Sequence, residues 1–247
     1  MTGASVFVVV CFAALLVFEG ARRGVRAGAP GWNRVATNWG LGAVNFGLAA
    51  LLPLTTALTA FGSGPGMLAS WPSLAAFLAL LMARSFVAYW FHRSLHAAPW
   101  LWRMHRVHHA DTLIDCSTGL RNHPFEGLIA AALAAAIVIA LGPSVGTVAA
   151  VNAVLLVASF WQHAAIRLPP GVSRLLEWLV VTPRLHLVHH SQARAQHDNN
   201  FGDILIVWDQ IFGSFAKPSS GPVTVGLTGE SQDAQSLWRQ LAAPFKR

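Results

Sequence analysis

The sequence predicts an all-α integral membrane protein with about four to five membrane helices and a histidine-rich helical cap on the cytoplasmic side. Three observations support this class. The 247-residue chain is 54% hydrophobic and only 11% charged, whereas soluble domains carry roughly 25% charged residues. Long uncharged runs alternate with short loops that contain arginine. All 11 histidines lie between residues 92 and 197, after the first three apolar runs.

The net charge of +7 is explained by membrane orientation. The chain has no lysine-rich arm, and its arginines lie in short loops between apolar runs, where positive charge orients membrane helices. We therefore predict no nucleic-acid partner. Cys11 lies in an apolar run and Cys116 in a loop, so we expect neither a disulfide nor a CxxC metal site.

The first predicted membrane helix is the uncharged run at 1–18. The charged residues follow this run, whereas a cleavable signal peptide carries its positive charge before the apolar run. They are Glu19, Arg22, Arg23, Arg26 and Arg34. This order predicts an N-terminus outside and a cytoplasmic loop at about 19–35.

A second uncharged run covers 35–83, which is too long for a single crossing of about 20 residues. The turn sequence FGSGPG at 61–66 divides it. We predict membrane helices at 38–60 and 71–91, with Pro72 in the first turn of the second helix.

A third apolar block at 127–165 is broken by LGPSVG at 141–146. This pattern predicts a helical hairpin that either spans the bilayer or partly enters it. The final third of the chain is polar enough to lie in the cytoplasm. The single membrane domain then has four parts: N-terminal membrane helices at 1–91, a first histidine-rich cytoplasmic segment at 92–124, the hairpin at 125–166, and a second histidine-rich cytoplasmic segment with the tail at 167–247.

Histidines recur at regular spacing in three short segments. These are HRSLH (His92, His96), HRVHH (His105, His108, His109) and HLVHH (His186, His189, His190). Residues three and four apart share one face of an α-helix, so each segment projects its imidazoles to one side. Helix-start signals agree, since Pro99 precedes the second segment and Thr182–Pro183 precede the third.

Neutral imidazole is the commonest metal ligand in proteins and suits Fe, Zn, Cu and Ni. Eight clustered imidazoles exceed what one ion can use, so the spacing predicts a site for two metal ions, each with an open position. The alternative for these segments is a solvated basic face or a pH sensor. Their repetition on both sides of a membrane hairpin disfavours that alternative.

Three further histidines stand alone. His163 ends the second hairpin helix, where an ionisable group is functional by default, so we predict that it is a ligand. His123 and His197 are additional candidate ligands. For His123 the competing role is a helix start, with Pro124 in the first turn. For His197 it is that of an ordinary, hydrogen-bonded polar residue.

The order of these segments resembles the fatty acid hydroxylase/sterol desaturase superfamily of membrane-bound di-metal oxygenases. The resemblance covers roughly 85–216 and rests on YWFHRSLH, LWRMHRVHHAD, RNHPFE, FWQHAAIRLP, TPRLHLVHH and NNFGDILIVWDQIFGSF. It implies a di-iron site, O2 as co-substrate and electrons from a reductase that uses a ferredoxin or a b-type cytochrome. It also implies hydroxylation or desaturation of a C–H bond in a lipid such as a sterol or a fatty acyl chain.

The resemblance also implies roles for single residues. Eight histidines match metal ligands: His92, His96, His105, His108, His109, His186, His189 and His190. His163, which we also predict to be a ligand, matches the family's lone histidine after the membrane hairpin. Asn200 and Asp209 match the family's tail motif, whereas the residues alone suggest an Asx turn and a cap or salt bridge. Arg121 and Glu126 either form an ion pair with each other or orient metal ligands.

The chain departs from the family's pattern in three places. Arg84 and Ser85 stand where many relatives carry an acidic residue, about two helical turns before the first histidine. Ala165 and Arg167 replace an asparagine and a second histidine that follow the hairpin histidine in relatives. The last metal ligand therefore stays open, with His197 as the natural substitute.

Other functions fit parts of the sequence. A zinc hydrolase would need a glutamate base, as in HExxH, which the chain lacks. A non-oxidative metal binder or transporter would place its ligands near the bilayer midplane, whereas these lie at helix ends. A catalytically silent relative is compatible with the departures from the family's pattern.

The composition, rich in Ala, Gly, Arg and Trp, is typical of a GC-rich bacterial genome and favours a bacterial inner membrane. Sterol, fatty acyl, sphingoid, alkyl ether and carotenoid substrates all present long apolar C–H surfaces, and the sequence does not choose among them.

Overall fold

The computed structural model describes residues 3–23, 31–51, 66–217, 221–229 and 236–246, which contain helices, short 3-10 turns and loops but no strand. The helices are α1 (Gly3–Arg23), α2 (Trp32–Leu51), α3 (Ser73–Ala97), α4 (Pro99–His109), α5 (Pro124–Leu141), α6 (Val145–His163), α7 (Pro170–Leu176), α8 (Pro183–His189), α9 (Arg194–His197), α10 (Val207–Ile211) and α11 (Leu237–Ala242). The predicted all-α class is confirmed.

Three of the described helices, α3, α5 and α6, are long and apolar enough to cross a bilayer. Helix α1 contains a shorter apolar stretch, Val6–Val17. The predicted integral membrane class is thereby supported. The count of four to five spans stays a prediction, because parts of the predicted helix at 38–60, of the turn at 61–66 and of the loop at 19–35 lie outside the described residues.

Helix α3 continues past its predicted end at residue 91 and carries HRSLH as well. No proline or glycine interrupts it before Pro99, which holds Ala98 in an extended conformation (ψ 121°). A helix of 25 residues is about 37 Å long, whereas the hydrocarbon core of a bilayer is about 30 Å thick. Helix α3 is therefore long enough to cross the bilayer and to carry His92 and His96 beyond it.

The hairpin turn forms where LGPSVG predicts it. Helix α5 ends at Leu141, and Gly142 adopts the left-handed conformation that favours glycine (φ 54°). Ser144 caps α6 by accepting the Thr147 amide at 3.2 Å. Helices α5 and α6 contain 18 and 19 residues, or about 27–29 Å, which is close to the thickness of about 30 Å of the hydrocarbon core.

A buried network of charged side chains ties α2 to the segment after α4. Arg34 donates to Asp111 Oδ2 at 3.0 Å and also pairs with Asp115. Asn38 donates to the same Asp111 oxygen at 2.9 Å. The sequence places Arg34 in a cytoplasmic loop, but the structure buries it in the first turn of α2. Two carboxylates distant in the sequence neutralise its charge there.

The close approach of Gly66 to Gly142 generates a stability prediction. A Cβ on Gly66 would lie 2.3 Å from the Gly142 Cα, because the loop before α3 packs against the hairpin turn. We expect Gly66→Ala to lower the free energy of unfolding by about 1–3 kcal/mol, the usual cost of overpacking. Gly146→Ala is the matched control, since its Cβ would be 3.8 Å from Ser144. Equal melting temperatures for the two variants in thermal unfolding would contradict the contact.

Candidate metal centre

Nine histidines converge at the end of the helix bundle and separate into two groups. The first group contains five of them: His92, His96, His105, His109 and His189. The second contains four: His108, His163, His186 and His190. Within each group the candidate ligand atoms lie within 4.8 Å of one another. The histidine segments predicted to share a site are therefore brought together, as is His163.

The two triple-histidine segments divide in the same way. In α4, His105 and His109 face the first group while His108 faces the second. In α8, with its C-terminal cap His190, the pair at i and i+4 enters the second group and His189 enters the first. Each helix thus contributes two imidazoles to one group and one to the other. Both helices start as predicted, α4 with Pro99 in its first turn and α8 at Thr182, whose hydroxyl accepts the Leu185 amide.

The second group has closely spaced ring nitrogens. His163 Nε2 lies 3.1 Å from His108 Nε2 and 2.9 Å from His186 Nε2. His190 Nε2 lies 3.1 Å from His186 Nε2. Imidazole nitrogens that share one metal ion lie roughly 3.0–3.4 Å apart, because each is about 2.1 Å from the ion. The spacing fits a metal site.

The first group also fits a metal site, because several of its ring nitrogens are buried without a hydrogen-bond partner among the described residues. His92 Nε2 lies 3.1 Å from His105 Nε2. His96 Nε2, His189 Nε2 and both His109 nitrogens are buried without a hydrogen-bond partner among the described residues. Buried polar atoms are normally hydrogen-bonded, so this set of donors fits a metal ion as the missing partner.

In many of these rings, Nδ1 points away from the histidine groups, and its hydrogen bond fixes the tautomer. Five ring Nδ1 atoms lie within hydrogen-bond distance of backbone carbonyls: His92 to Phe201 (2.8 Å), His108 to Arg121 (3.2 Å), His163 to Ser159 (2.6 Å), His189 to Asn199 (2.8 Å) and His197 to Ser191 (3.2 Å). A carbonyl oxygen only accepts, so each Nδ1 must carry the proton. In the neutral ring, Nε2 then presents its lone pair away from that carbonyl.

Burial favours the neutral form of five histidines of the cap. Loss of solvation is the largest cause, and neighbouring imidazoles add to it. These effects place the pKa well below the ordinary value of 6.5 for His108, His109, His186, His189 and His190. Neutral imidazole is the form that binds metal, so these rings need not lose a proton to do so at neutral pH.

The two additional candidates occupy different positions. His197 lies beside the first group, with its ring centroid 4.6 Å from that of His109 and 4.8 Å from that of His96. His123 lies outside both groups. Its Nδ1 accepts the Phe125 amide at 3.2 Å and caps α5, while its Nε2 contacts the Leu241 carbonyl at 3.2 Å. The structure thus places His123 at a helix start, the competing role for this residue.

Arg121 and Glu126 each hold a histidine from behind. Glu126 Oε1 lies 3.1 Å from His105 Nδ1. The backbone carbonyl of Arg121 accepts a hydrogen bond from His108 Nδ1 at 3.2 Å. The Arg121 side chain donates to the Val107 carbonyl at 2.8 Å. Of the two predicted alternatives, this geometry favours orientation of ligands.

Asn200 and Asp209 shape the loop that supplies two of the carbonyls. Asn200 adopts a left-handed conformation (φ 55°), and its amide donates to the Leu185 carbonyl at 3.1 Å. Asp209 accepts the amides of Phe201 at 2.7 Å and Gly202 at 2.8 Å. The carbonyls of this loop contact His92 and His189, so both residues act on the rings through the backbone.

An apolar cavity of about 400 Å³ reaches both histidine groups. Helices α2, α3, α5 and α6 supply most of its wall, including Phe46, Phe91 and Leu156. Histidines of both groups line its inner end: His92, His105, His108, His163 and His186. The cavity can therefore take an apolar chain between membrane helices and bring it against both groups.

Asp203 is a charged residue of the cavity wall that sequence analysis missed. Its Oδ1 is buried without a hydrogen-bond partner among the described residues, and burial raises the pKa of its carboxyl to about 7. Arg84 is the nearby positive charge that opposes this rise, and it donates to Asn152 Oδ1 at 3.0 Å. Ser85 accepts the Trp208 indole N–H at 3.0 Å.

The carbonyl partners of the histidines were also missed, since a backbone oxygen leaves no residue-specific signal. Asp111 and Asp115 lie two and six residues after HRVHH, and their charge could have marked them as candidate functional residues. Their structural role, which is to pair with buried Arg34, becomes visible only in the fold.

Several known proteins are similar to this chain. A sequence model of the fatty acid hydroxylase family matches residues 77–214. Ornithine lipid hydroxylase of Rhizobium tropici is 32% identical over 179 residues, which cover 72% of this chain and 52% of that protein. Alkylglycerol monooxygenase of Danio rerio is 36% identical over 140 residues, covering 57% of this chain and 30% of that protein. A very-long-chain aldehyde decarbonylase of Oryza sativa subsp. indica is 32% identical over 164 residues, covering 62% and 24%.

The fold and the centre define a helical membrane protein with a double histidine group at the end of an apolar cavity. The chain belongs to the fatty acid hydroxylase family, whose sequence model covers more than half of it, and the resemblance found in its motifs is confirmed. The chain spans about half the length of the ornithine lipid hydroxylase and about a third of the alkylglycerol monooxygenase it matches. No solved structure matches it.

The raised pKa of Asp203 predicts a pH-dependent stability difference. A carboxyl whose pKa is higher in the folded state destabilises the protein increasingly as pH rises from its unfolded pKa near 3.8 to about 7. Asp203→Asn removes this effect. We expect the free energy of unfolding of the variant to exceed that of the wild type by an amount that grows between pH 5 and pH 8, to at most about 4 kcal/mol. The melting temperatures of the two proteins across this pH range measure the difference. A difference that does not change with pH would contradict the burial of this carboxyl.

Proposed function

We propose that this protein is a membrane-bound di-iron oxygenase that hydroxylates or desaturates a C–H bond of a lipid, using O2 and external electrons. The observation that carries this proposal is the apolar cavity between membrane helices, lined by histidines of both groups. An alkyl chain in this cavity would lie against both candidate metal positions. A hydrolase would instead need a positioned water and a base.

The two groups would each hold one ion. His92, His96, His105, His109 and His189 would hold the first, with His197 as a further ligand beside it, and His108, His163, His186 and His190 would hold the second. Iron is proposed from the family and from the ligand type, since imidazole suits it. A bound iron pair would supply the activation of O2 that C–H oxidation requires. Insertion of one oxygen atom consumes O2, two electrons and two protons and releases water.

The protein's own part is to orient the rings and exclude water. Glu126 and the carbonyls of Arg121 and Phe201 hold three rings from behind, so that each Nε2 faces its group. The apolar side chains of the cavity keep bulk water from the reacting C–H bond. A cofactor carries the reaction itself, while the protein supplies binding and orientation.

The relatives support a lipid with a long alkyl chain as the substrate class. Their names specify an ornithine lipid, an alkylglycerol and a very-long-chain aldehyde. We propose that the alkyl chain enters the cavity from the bilayer and that the polar head stays near its mouth. A fatty acyl substrate belongs to this class, and a sterol is the alternative lipid substrate.

Electrons would come from a reductase with a ferredoxin or a b-type cytochrome. We propose a bacterial inner membrane, with the N-terminus outside and the histidine groups on the cytoplasmic side, where such donors are found. The order of arginines after the first apolar run supports this orientation.

The function is tested by lipid profiling of membranes that express the chain together with an electron-donor system. The wild type should produce a lipid with one added oxygen if it hydroxylates, or a lipid lacking two hydrogens if it desaturates. His108→Ala should abolish the new species, because it removes a member of the second group. His123→Asn is the matched control and should keep the activity, since asparagine also caps a helix start. A new species that persists in His108→Ala would contradict the proposal.

A further inference from the structure

A patch of exposed apolar side chains lies on the segment that follows the hairpin. We call it the shoulder. Its members lie on α7, on the turn after α7 and on α10: Val172, Leu175, Trp178, Leu179 and Ile211, with exposed fractions of 45%, 73%, 76%, 59% and 61%. Clustered apolar exposure of this kind marks a binding surface or a membrane contact.

The polar side of the shoulder faces the protein. Ser173 is buried and donates to Glu177 Oε1 at 2.6 Å. Glu177 also pairs with Arg184 at 3.0 Å and accepts the Thr182 hydroxyl at 3.2 Å. A helix on a soluble protein turns its apolar side to the core and its polar side to water. The shoulder instead turns Ser173 inward and its large apolar side chains outward, as expected of a surface in contact with lipid.

The shoulder is attached to the part of α3 that precedes His92. The Ile206 amide donates to the Leu179 carbonyl at 3.0 Å, which joins the shoulder's turn to α10. Trp208 of α10 donates to Ser85 Oγ of α3 at 3.0 Å. Ser85 precedes His92 by seven residues, which is about 10 Å along the helix axis. Helix α10 therefore lies beside a part of α3 that is within its predicted membrane stretch.

The shoulder is continuous with the outward surface of α3. Phe86 and Trp90 are 38% and 40% exposed on this membrane helix. Phe86 packs edge-on against Trp208 with ring centroids 5.1 Å apart, and Trp90 packs against Phe212 at 5.0 Å. The lipid that surrounds α3 would thus meet α10 and the shoulder without a break.

The charges around the shoulder suit the surface of a bilayer. Arg167 and Arg174 are exposed beside it on the connection from α6 and on α7. Arginine close to an apolar surface favours anionic headgroups, and tryptophan such as Trp178 is enriched where headgroups meet acyl chains. The arrangement matches helices that lie in the plane of the interface.

We propose that the shoulder is embedded in the headgroup and upper acyl region of the bilayer, with anionic phospholipid as its partner. The sequence predicts that the region 167–247 lies in the cytoplasm. On this proposal part of that region lies in the membrane surface instead. Helices α7 and α10 lie in the membrane surface, and α8 and α9 with their histidines lie above it. The proposal is independent of the chemistry at the metal centre.

The test is spin-label accessibility in liposomes of phosphatidylcholine and phosphatidylglycerol. Single cysteines replace Leu175 or Ile211 in the full chain, in a Cys11→Ser background that removes the cysteine that is not fully buried. Leu78→Cys on α3 is the lipid reference, because Leu78 is 49% exposed on a membrane helix. Arg194→Cys on α9 is the water reference, because its side chain is 93% exposed in the cap.

We expect the ratio of O2 collisions to chromium oxalate collisions at both shoulder positions to match Leu78. It should exceed the ratio at Arg194 by about tenfold, because a charged complex is excluded from lipid. A ratio equal to that at Arg194 would overturn the proposal. Protection from both reagents would also overturn it, because protein would then cover the shoulder. Trp178→Cys provides an independent site, and unchanged melting temperatures show that the labelled variants are folded.

Discussion

The structure depends on the burial of many imidazoles that converge on two points. Each ring has two nitrogens, and a buried nitrogen without a partner is costly. The outer nitrogens of His92, His108 and His189 meet backbone carbonyls, while the inner ones meet only one another. A cation at each point of convergence would be the missing partner of these inner nitrogens, since neutral imidazole is a metal ligand.

The remaining features position these rings relative to the membrane. Helix α3 is longer than the hydrocarbon core is thick and carries His92 and His96 in its last turns, and α6 ends at His163. Asp209 and Asn200 hold a loop whose carbonyls orient rings from two other helices. The apolar cavity is lined by membrane helices and by histidines of both groups. The proposed alkyl substrate would therefore meet both candidate metal positions at the histidine-lined part of this cavity.

The sequence predicted the long apolar helices, the two short helices that carry HRVHH and HLVHH, and the gathering of their histidines, because these features have local signals. Prolines at helix starts and the i, i+3, i+4 spacing fix which side chains share a face. The division of HRVHH was not predictable, because the crossing of helices decides that His108 joins one group and His109 the other. Asp203 carried too weak a local signal, and its place in the cavity wall depends on packing. Arg34 resembled a loop charge because its carboxylate partners lie 77 and 81 residues away.

The most direct measurement is an anomalous difference map at the iron absorption edge from crystals of the protein purified with iron. The account predicts two peaks in each chain, one among the rings of the first group and one among those of the second. A single peak shared by both groups, or a peak beside His123, would contradict the two-metal arrangement. Two peaks at the two points of convergence would establish the centre on which the proposed oxygenase activity rests.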